Sequence, residues 1–153
     1  MNDYGLGSIS PTPGPLRAAD ICRGVCRHLG DLGFSVLTEF RLRSNRRVDI
    51  IGVDTGGVFV VVEVKSSVPD FQADGKWPEY RAYADRLYFA VANGFPVALL
   101  PPHCGVIIAD AYNAVIFRDS PELKMNAARR KTQILRFAQT AADRLYRVSD
   151  PRL

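Results

Sequence analysis

Hydrophobic residues recur at the helical period in two long segments of the chain. From Pro15 to about Leu32 the apolar positions repeat every three or four residues, with proline in the first turn and Gly33 just past the end. These are typical helix boundaries. A second amphipathic stretch runs from about Leu123 to Arg147. The pattern therefore predicts a long helix near each end of the chain.

Between these helices, short apolar runs rich in β-branched residues predict strands. In chain order, the predicted strands are Phe34–Leu42, Val48–Val53, Val58–Lys65, Arg86–Ala92, Gly105–Ala109 and Ala114–Phe117. The polar segment Ser66–Trp77 is predicted as a loop and Pro78–Asp85 as a short helix. Consecutive hairpin-linked strands with flanking helices indicate an α/β (α+β) fold with a mixed sheet. We expect a single domain over residues 15–147, with a disordered lead-in over residues 1–14 and a tail over residues 148–153.

Three ionisable side chains interrupt the second and third predicted strands. Asp49 lies in one strand, and Glu63 and Lys65 lie in the next, two residues apart and therefore on the same face. Charges in buried strands are costly unless they are paired or bound to a metal ion. This region is therefore the first candidate for chemistry.

The turn between the two strands decides whether the two carboxylates meet. With a three-residue loop, Thr55–Gly57, in which Gly57 takes the left-handed conformation, counting back places Asp49 opposite Glu63. Opposed residues have Cβ atoms about 5 Å apart, where two carboxylates repel unless a cation or a proton lies between them. Oxygen ligands suit Mg²⁺ or Mn²⁺. A two-residue loop would instead place the carboxylates on opposite faces.

Composition limits the classes of protein to which the chain can belong. Its 153 residues are 47% hydrophobic and 24% charged, as in an ordinary globular domain. The sequence contains neither an apolar run of membrane-spanning length nor a secretory signal, and three cysteines without a signal indicate a reducing cytoplasm. Cys22 and Cys26 share the apolar stripe of the first helix, so core packing is favoured over a zinc pair.

Positive charge is concentrated toward the C-terminal end. The net charge is +4, and from Arg118 onward nine Lys and Arg residues face four Asp and Glu residues. Such a distribution is typical of a protein that binds a polyanion, although a solvated basic surface is the alternative. The candidate DNA contacts are Arg41, Arg43, Arg46 and Arg47 near one hairpin, and Arg129, Arg130 and Lys131 on the last helix, where they are predicted to face outward.

The order of these elements, with Asp49 on one strand and Glu63-Val64-Lys65 on the next, resembles the core of the PD-(D/E)xK nuclease superfamily, the restriction-endonuclease-like fold. The resemblance implies that Asp49 and Glu63 bind Mg²⁺, that the Val64 carbonyl adds a ligand, and that Lys65 assists attack on a phosphodiester. The sequence departs from the superfamily pattern at Val48, where proline would precede the aspartate.

A narrower resemblance rests on segments beyond that motif. Arg46–Asp49, Val61–Ser66, Asp70–Tyr80 and Asp85–Val91 are similar to the MmcB-like DNA-repair family, over roughly residues 15–145. The specific part is Lys-Trp-Pro-x-Tyr followed by Asp-Arg-x-Tyr-Phe-Ala-Val. Trp77, Tyr80 and Tyr83 could stack on bases, but their helical spacing favours packing in the core.

Three further residues are candidates for the same site. Glu39 falls opposite Asp49 if Arg43–Asn45 is a three-residue loop with Asn45 left-handed, and on the other face if the loop has two residues. Gln72 and Lys76 could touch phosphate or position a water, or Lys76 could form an ion pair with Asp70 or Asp74.

These observations lead to one expected function and two alternatives. The expectation is a cytoplasmic DNA-repair endonuclease, nucleoid-associated when bound to DNA, that uses Mg²⁺ or Mn²⁺, with other repair proteins as candidate partners and no membrane partner. A non-catalytic module that binds DNA or a repair protein on the same fold is one alternative. A structural domain with a buried Glu63–Lys65 pair is the other.

Overall fold

The computed structural model describes residues 14–152, so the lead-in predicted for residues 1–14 lies outside the described residues except for Gly14. The helices are α1 (Ala18–Asp31), α2 (Val68–Ala73) and α3 (Ala127–Ser149), with 3₁₀ helices at Trp77–Tyr83 and Val97–Leu99. The strands are β1 (Ser35–Arg41), β2 (Arg47–Val53), β3 (Phe59–Val64), β4 (Arg86–Val91), β5 (Gly105–Ala109) and β6 (Ala114–Arg118).

The six strands form one mixed sheet in the order in which they occur along the chain. Antiparallel hairpins join β1 to β2, β2 to β3 and β5 to β6, whereas β3, β4 and β5 run parallel to one another. The prediction of a mixed sheet flanked by helices in an α+β fold is confirmed.

Each face of the sheet has its own hydrophobic core. Helix α1 packs Ile21, Val25 and Leu29 against one face. The opposite face is covered by the 3₁₀ helix at Trp77–Tyr83 and by Phe137 of α3. Central strand β3 is buried along its whole length, as its run of β-branched residues predicts.

Helix α2 lies within the segment that was predicted to be a loop, so that prediction is wrong. Its start carries a capping signature, because the Ser67 hydroxyl accepts a hydrogen bond from the Asp70 N–H. Pro69 lies in its first turn, but none of its residues is buried. A helix without a buried face has no apolar periodicity, which explains why the hydrophobic pattern gave no sign of it.

The core-facing side of α3 also differs from the prediction. The buried residues of α3 are Gln133 and Phe137, whereas Leu135 and Leu145 are mostly exposed. The Gln133 side chain donates to the Tyr83 carbonyl, and the Phe137 ring packs against Phe40 and Phe59. Among the described residues, no helix is long and apolar enough to cross a bilayer.

Candidate active site

The β2–β3 hairpin brings the two acidic residues together. Asp54 N–H donates to the Val58 carbonyl at 3.1 Å, and Gly57 has a φ of +80°, so the loop has three residues as predicted. Backbone pairing runs from Val53 with Phe59 to Ile50 with Val62. The same register places Asp49 opposite Glu63, which confirms the predicted pairing.

Beyond Ile50 and Val62, the carboxylates replace the backbone ladder. The Asp49 N–H donates to Glu63 Oε1 at 3.1 Å, and the Val64 N–H donates to Asp49 Oδ2 at 2.8 Å. Each carboxylate thus satisfies a main-chain donor on the opposite strand. These bonds hold both side chains at the point where β2 and β3 separate.

A cleft of about 550 Å³ opens at this point, and we call it the acid cleft. It lies between α1 and the ends of β1, β2 and β3. Its lining residues are Ala18, Ala19, Cys22, Thr38, Glu39, Asp49, Glu63, Val64, Lys65 and Asp70. The predicted residues Asp49, Glu63, Val64 and Lys65 therefore share one cavity.

The carboxyl groups of the acid cleft are electrostatically strained. Burial raises the pKa of Glu63 to about 8, and the nearby charge of Asp49 adds to the effect. Burial also raises the pKa of Asp49, and the hydrogen bond from Val64 only partly offsets it. Ionisation of both groups at once is therefore unfavourable, and a bound cation would stabilise the doubly ionised pair.

Lys65 is held by an acidic residue outside the predicted motif. Its Nζ donates to Asp74 Oδ2 at 2.6 Å, and the two side chains are only 7% and 12% exposed. Burial alone would raise the pKa of Asp74, but the hydrogen bonds from Lys65 and from the Lys76 N–H together lower it. The sequence predicted Asp74 only as a partner of Lys76, because no pattern in the sequence links it to Lys65.

Glu39 lies at a kink in β1. The β1–β2 loop has three residues with Asn45 at a φ of +70°, and the register places Glu39 opposite Asp49. Glu39 itself has a φ of +49°, which is rare for a residue other than glycine. Arg144 of α3 supports the kink, because its Nη2 donates to the Glu39 carbonyl at 2.9 Å. The Glu39 carboxylate is exposed and lies 3.8 Å from Arg47 Nη1.

The remaining candidate residues divide into those at the cleft and those outside it. Gln72 and Lys76 are exposed and do not line the acid cleft. Asp70, which the sequence analysis did not propose for the site, lines it while accepting a hydrogen bond from the Ser66 N–H. Cys22 also lines it, and its pKa is raised by a hydrogen bond with Cys26 and by burial.

The aromatic residues Trp77, Tyr80 and Tyr83 pack in or against the core, as their helical spacing predicted. Tyr80 is 3% exposed, and its hydroxyl donates to the Arg47 carbonyl. Trp77 packs edge-on against Phe89 with ring centroids 5.5 Å apart. The residues that make the family resemblance specific therefore stabilise the fold beside the acid cleft.

Of the arginines predicted to bind DNA, Arg130 has an internal role instead. It forms a two-point ion pair with the buried carboxylate of Asp85 at 2.6 and 2.7 Å, and its side chain is 28% exposed. The prediction that it faces outward is wrong, because Asp85 needs a cation inside the protein. Arg46 is paired with Glu79 at 2.6 Å, and Arg41 donates to the Asn45 carbonyl. Exposed side chains remain at Arg43, Arg47, Arg129 and Lys131.

The donors in the acid cleft suit a hard cation but are few. Asp49 and Glu63 supply carboxylate oxygens, which Mg²⁺ and Mn²⁺ prefer. Within residues 14–152, no group of three or more His, Cys, Asp or Glu side chains is arranged to hold a metal ion. Such an ion would therefore be held by two carboxylates, with main-chain, water or substrate oxygens completing its coordination, as is common for Mg²⁺.

Comparisons with known proteins cover nearly the whole chain. A family model described as DNA repair protein MmcB-like matches residues 12–152. Among solved structures, the SPO1766 protein of unknown function from Silicibacter pomeroyi is similar, with a TM-score of 0.84 and 46% identity. That match covers 89% of this chain and 94% of the other. No curated protein matches.

Proposed function

The chain belongs to the DNA repair protein MmcB-like family, and we propose that it is a metal-dependent DNA endonuclease acting in repair. The active site in this proposal is the acid cleft. The observation that carries the proposal is the convergence of Asp49, Glu63 and Lys65 in one open cavity, with the pKa of Glu63 raised to about 8.

Asp49 and Glu63 are the proposed metal ligands, with the Val64 carbonyl as a third and Glu39 as a candidate fourth. Their paired, raised pKa values favour a cation at this position, because it would compensate two like charges held close together. When bound, Mg²⁺ or Mn²⁺ would neutralise phosphate charge and lower the pKa of a coordinated water.

Lys65 would act as a fixed positive charge. Its ion pair with Asp74 is buried, so the ammonium group is held in place beside the two carboxylates. A preorganised cation stabilises negative charge that develops on a phosphoryl oxygen during attack. While it is paired with Asp74, Lys65 is suited to this role rather than to that of a general base.

DNA as the substrate is consistent with the expected cytoplasmic location, which stays a prediction.

The test is a nicking assay on supercoiled and single-stranded DNA with Mg²⁺ or Mn²⁺. We expect Asp49→Asn and Lys65→Ala each to lower the cleavage rate by about 100-fold, the loss usual for one electrostatic contact to the transition state. Asp143→Asn is a matched control, because Asp143 is exposed on α3 away from the acid cleft. Cleavage that survives both substitutions would remove the acid cleft as the active site.

The second candidate is a non-catalytic module that binds DNA or a repair protein. Two observations favour it: no three-ligand cluster occurs in the described part of the chain, and Lys65 already has a partner. Calorimetric titration with Mn²⁺ separates the two functions. Binding that is lost in Asp49→Asn supports the nuclease, whereas DNA binding without any binding of Mn²⁺ supports the module.

A further inference from the structure

A second cleft, of about 480 Å³, lies between the β1–β2 loop and the first half of α3. We call it the basic cleft, and the residues that bear on its chemistry are Arg43, Ser44, Arg129, Thr132, Gln133 and Arg136. It shares no lining residue with the acid cleft, and no acidic side chain lines it. Three guanidinium groups around a cavity without an acidic side chain favour an anionic ligand.

The arginines of the basic cleft are incompletely satisfied by the protein. Within residues 14–152, Arg43 is exposed and forms no ion pair with an acidic group. The Arg136 Nη2 donates to the Arg41 carbonyl at 3.2 Å, but its Nε is buried with no acceptor among the described residues. A buried donor without an acceptor is uncommon, and an anion in the cleft could accept a hydrogen bond from this guanidinium.

Arg129 is oriented toward the same cavity by neutral groups. It lies over the ring of Tyr83, with its Cζ 4.8 Å from the ring centroid, and its Nη1 donates to the Ala82 carbonyl. Neither contact neutralises its charge. Arg130 and Arg46 differ in this respect, since each is compensated by a carboxylate. Positive charge is therefore left without a carboxylate partner in the basic cleft, whereas it is compensated at Arg46 and Arg130.

We propose that the basic cleft binds a backbone phosphate of the same DNA segment that enters the acid cleft. This inference rests on the proposed function. Strand β1 and its loop connect the two sites, because Thr38 and Glu39 line the acid cleft and Arg43 and Ser44 line the basic cleft. Glu39 and Arg43 are four residues apart in the chain, so their Cα atoms lie at most about 14 Å apart. Along the axis of a duplex, that distance corresponds to about four nucleotides of one strand, at ~3.4 Å of rise each.

The experiment measures DNA affinity without metal, so that it does not depend on cleavage. A short labelled duplex is titrated by fluorescence anisotropy in EDTA, at salt concentrations from about 50 to 200 mM. The main variant is Arg43→Gln combined with Arg129→Gln, which leaves Arg136 with its buried Nε intact. Arg147→Gln is the control, because Arg147 is an exposed arginine on the same helix and lies outside the basic cleft.

We expect the double variant to weaken binding by about tenfold and to reduce the slope of log affinity against log salt by about one, because one phosphate contact is lost. The Arg147→Gln variant should bind with unchanged affinity. Adding Arg136→Gln should weaken binding further, with a thermal melt confirming that this variant is folded. Pyrophosphate should raise the melting temperature of the wild type but not that of the double variant.

Two results would overturn the proposal. An unchanged affinity and salt slope in the double variant would mean that the cleft does not contact DNA. Stabilisation by pyrophosphate with unchanged DNA affinity would mean that the cleft takes a free phosphate compound. A failure of the proposed nuclease activity can be told apart from a failure of this proposal. If the wild type does not cleave DNA but the double variant still loses metal-free DNA binding, the basic cleft binds DNA although the protein is not a nuclease.

Discussion

Two sets of buried carboxylates lie at opposite ends of strand β3, and the protein treats them differently. At the start of β3, Asp85 accepts hydrogen bonds from the N–H groups of Phe59 and Met125 and a two-point ion pair from Arg130. At its end, Glu63 and Asp49 each accept one main-chain N–H and stand beside each other. The first carboxylate is fully compensated and the second pair is not.

The pKa directions follow from this difference in partners. Burial alone would raise the pKa of Asp85, but the ion pair with Arg130 and the two N–H bonds lower it. Burial raises the pKa of Glu63 to about 8, and no contact of comparable strength offsets it. Asp85 is thus neutralised by a partner within the chain. Among the described residues, Asp49 and Glu63 form no ion pair of their own, because Lys65 is paired with Asp74, and a positively charged ligand could fill that role.

The two sites give stability opposite dependences on pH. A lowered pKa means that Asp85 contributes stability above the ordinary value of 3.8, which is lost as the pH falls through its folded-state pKa. A raised pKa means that ionisation of Glu63 costs stability progressively as the pH rises from 4.5 toward about 8. We therefore expect the metal-free protein to be most stable in mildly acidic solution.

The largest effect is expected at the compensated site. Asp85→Asn should lower the free energy of unfolding at pH 7 by about 3–5 kcal/mol, because it leaves the charge of Arg130 without a partner. Urea denaturation measures the loss. Asp143→Asn, at an exposed position, should stay within about 0.5 kcal/mol of the wild type.

A double variant tests whether the lost charge balance is the cause. Adding Arg130→Met to Asp85→Asn should recover part of the stability, since no unpaired charge then remains. If the double variant is less stable than Asp85→Asn alone, the hydrogen bonds that Arg130 makes to the Gly57 and Met125 carbonyls matter more than its ion pair.

At the acid cleft, removing a carboxylate is expected to raise the stability of the protein rather than to lower it. In metal-free solution at pH 8, Glu63→Gln should stabilise the protein by an amount on the order of 2 kcal/mol, because it removes a costly buried charge. The glutamine oxygen can still accept the hydrogen bond from the Asp49 N–H. The advantage should shrink as the pH falls toward 4.5, where wild-type Glu63 is protonated. Thermal melts at several pH values measure it.

The exposed residue Glu122 provides the matched control, because Glu122→Gln should show no such dependence on pH. Mn²⁺ sharpens the comparison under the proposed function, since it should stabilise the wild type and not Glu63→Gln. A constant difference between the variants from pH 5 to 8 would contradict the raised pKa of Glu63.

Much of the fold followed from local signals in the sequence. The β-branched runs predicted the strands, and a loop with Gly57 left-handed predicted the register of β2 with β3. The register of β1 with β2 stayed open between two loop lengths, and the structure shows the loop in which Asn45 is left-handed. Register determines which side chains meet, so Asp49 could be placed opposite Glu63 from the loop length alone. Helix α2 escaped prediction because none of its residues is fully buried, although Phe71 packs against Phe89. Its sequence signal is the cap at Ser67.

The partners of buried charges could not be predicted in the same way. Asp85 and Arg130 are far apart in the sequence, and no periodicity connects them. The basic residues of α3 look equivalent in the sequence, yet Arg130 turns inward while Arg129 stays exposed. Such pairings depend on how α3 lies across the sheet, which only the three-dimensional structure reveals.

The smallest effect is expected at Asp74, the ion-pair partner of Lys65. Asp74→Asn should lower the free energy of unfolding at pH 7 by only about 1 kcal/mol, because Asp49, which already interacts with the charge of Lys65, can become its partner. The loss should vanish as the pH falls below 3.8, since the pKa of Asp74 is lowered in the folded state. Urea denaturation at several pH values measures both.

The same substitution should also change the acid cleft itself. The charge of Asp74 helps to raise the pKa of Glu63, so Asp74→Asn should lower that pKa, which carboxyl carbon chemical shifts in NMR can follow. Lys76→Met is the control, because Asp74 binds the N–H of Lys76 rather than its ammonium group. If Lys76→Met lowers stability as much as Asp74→Asn does, Asp74 acts chiefly through the charge of Lys76 rather than through Lys65. If only Asp74→Asn has an effect, Asp74 positions Lys65 and belongs to the acid cleft.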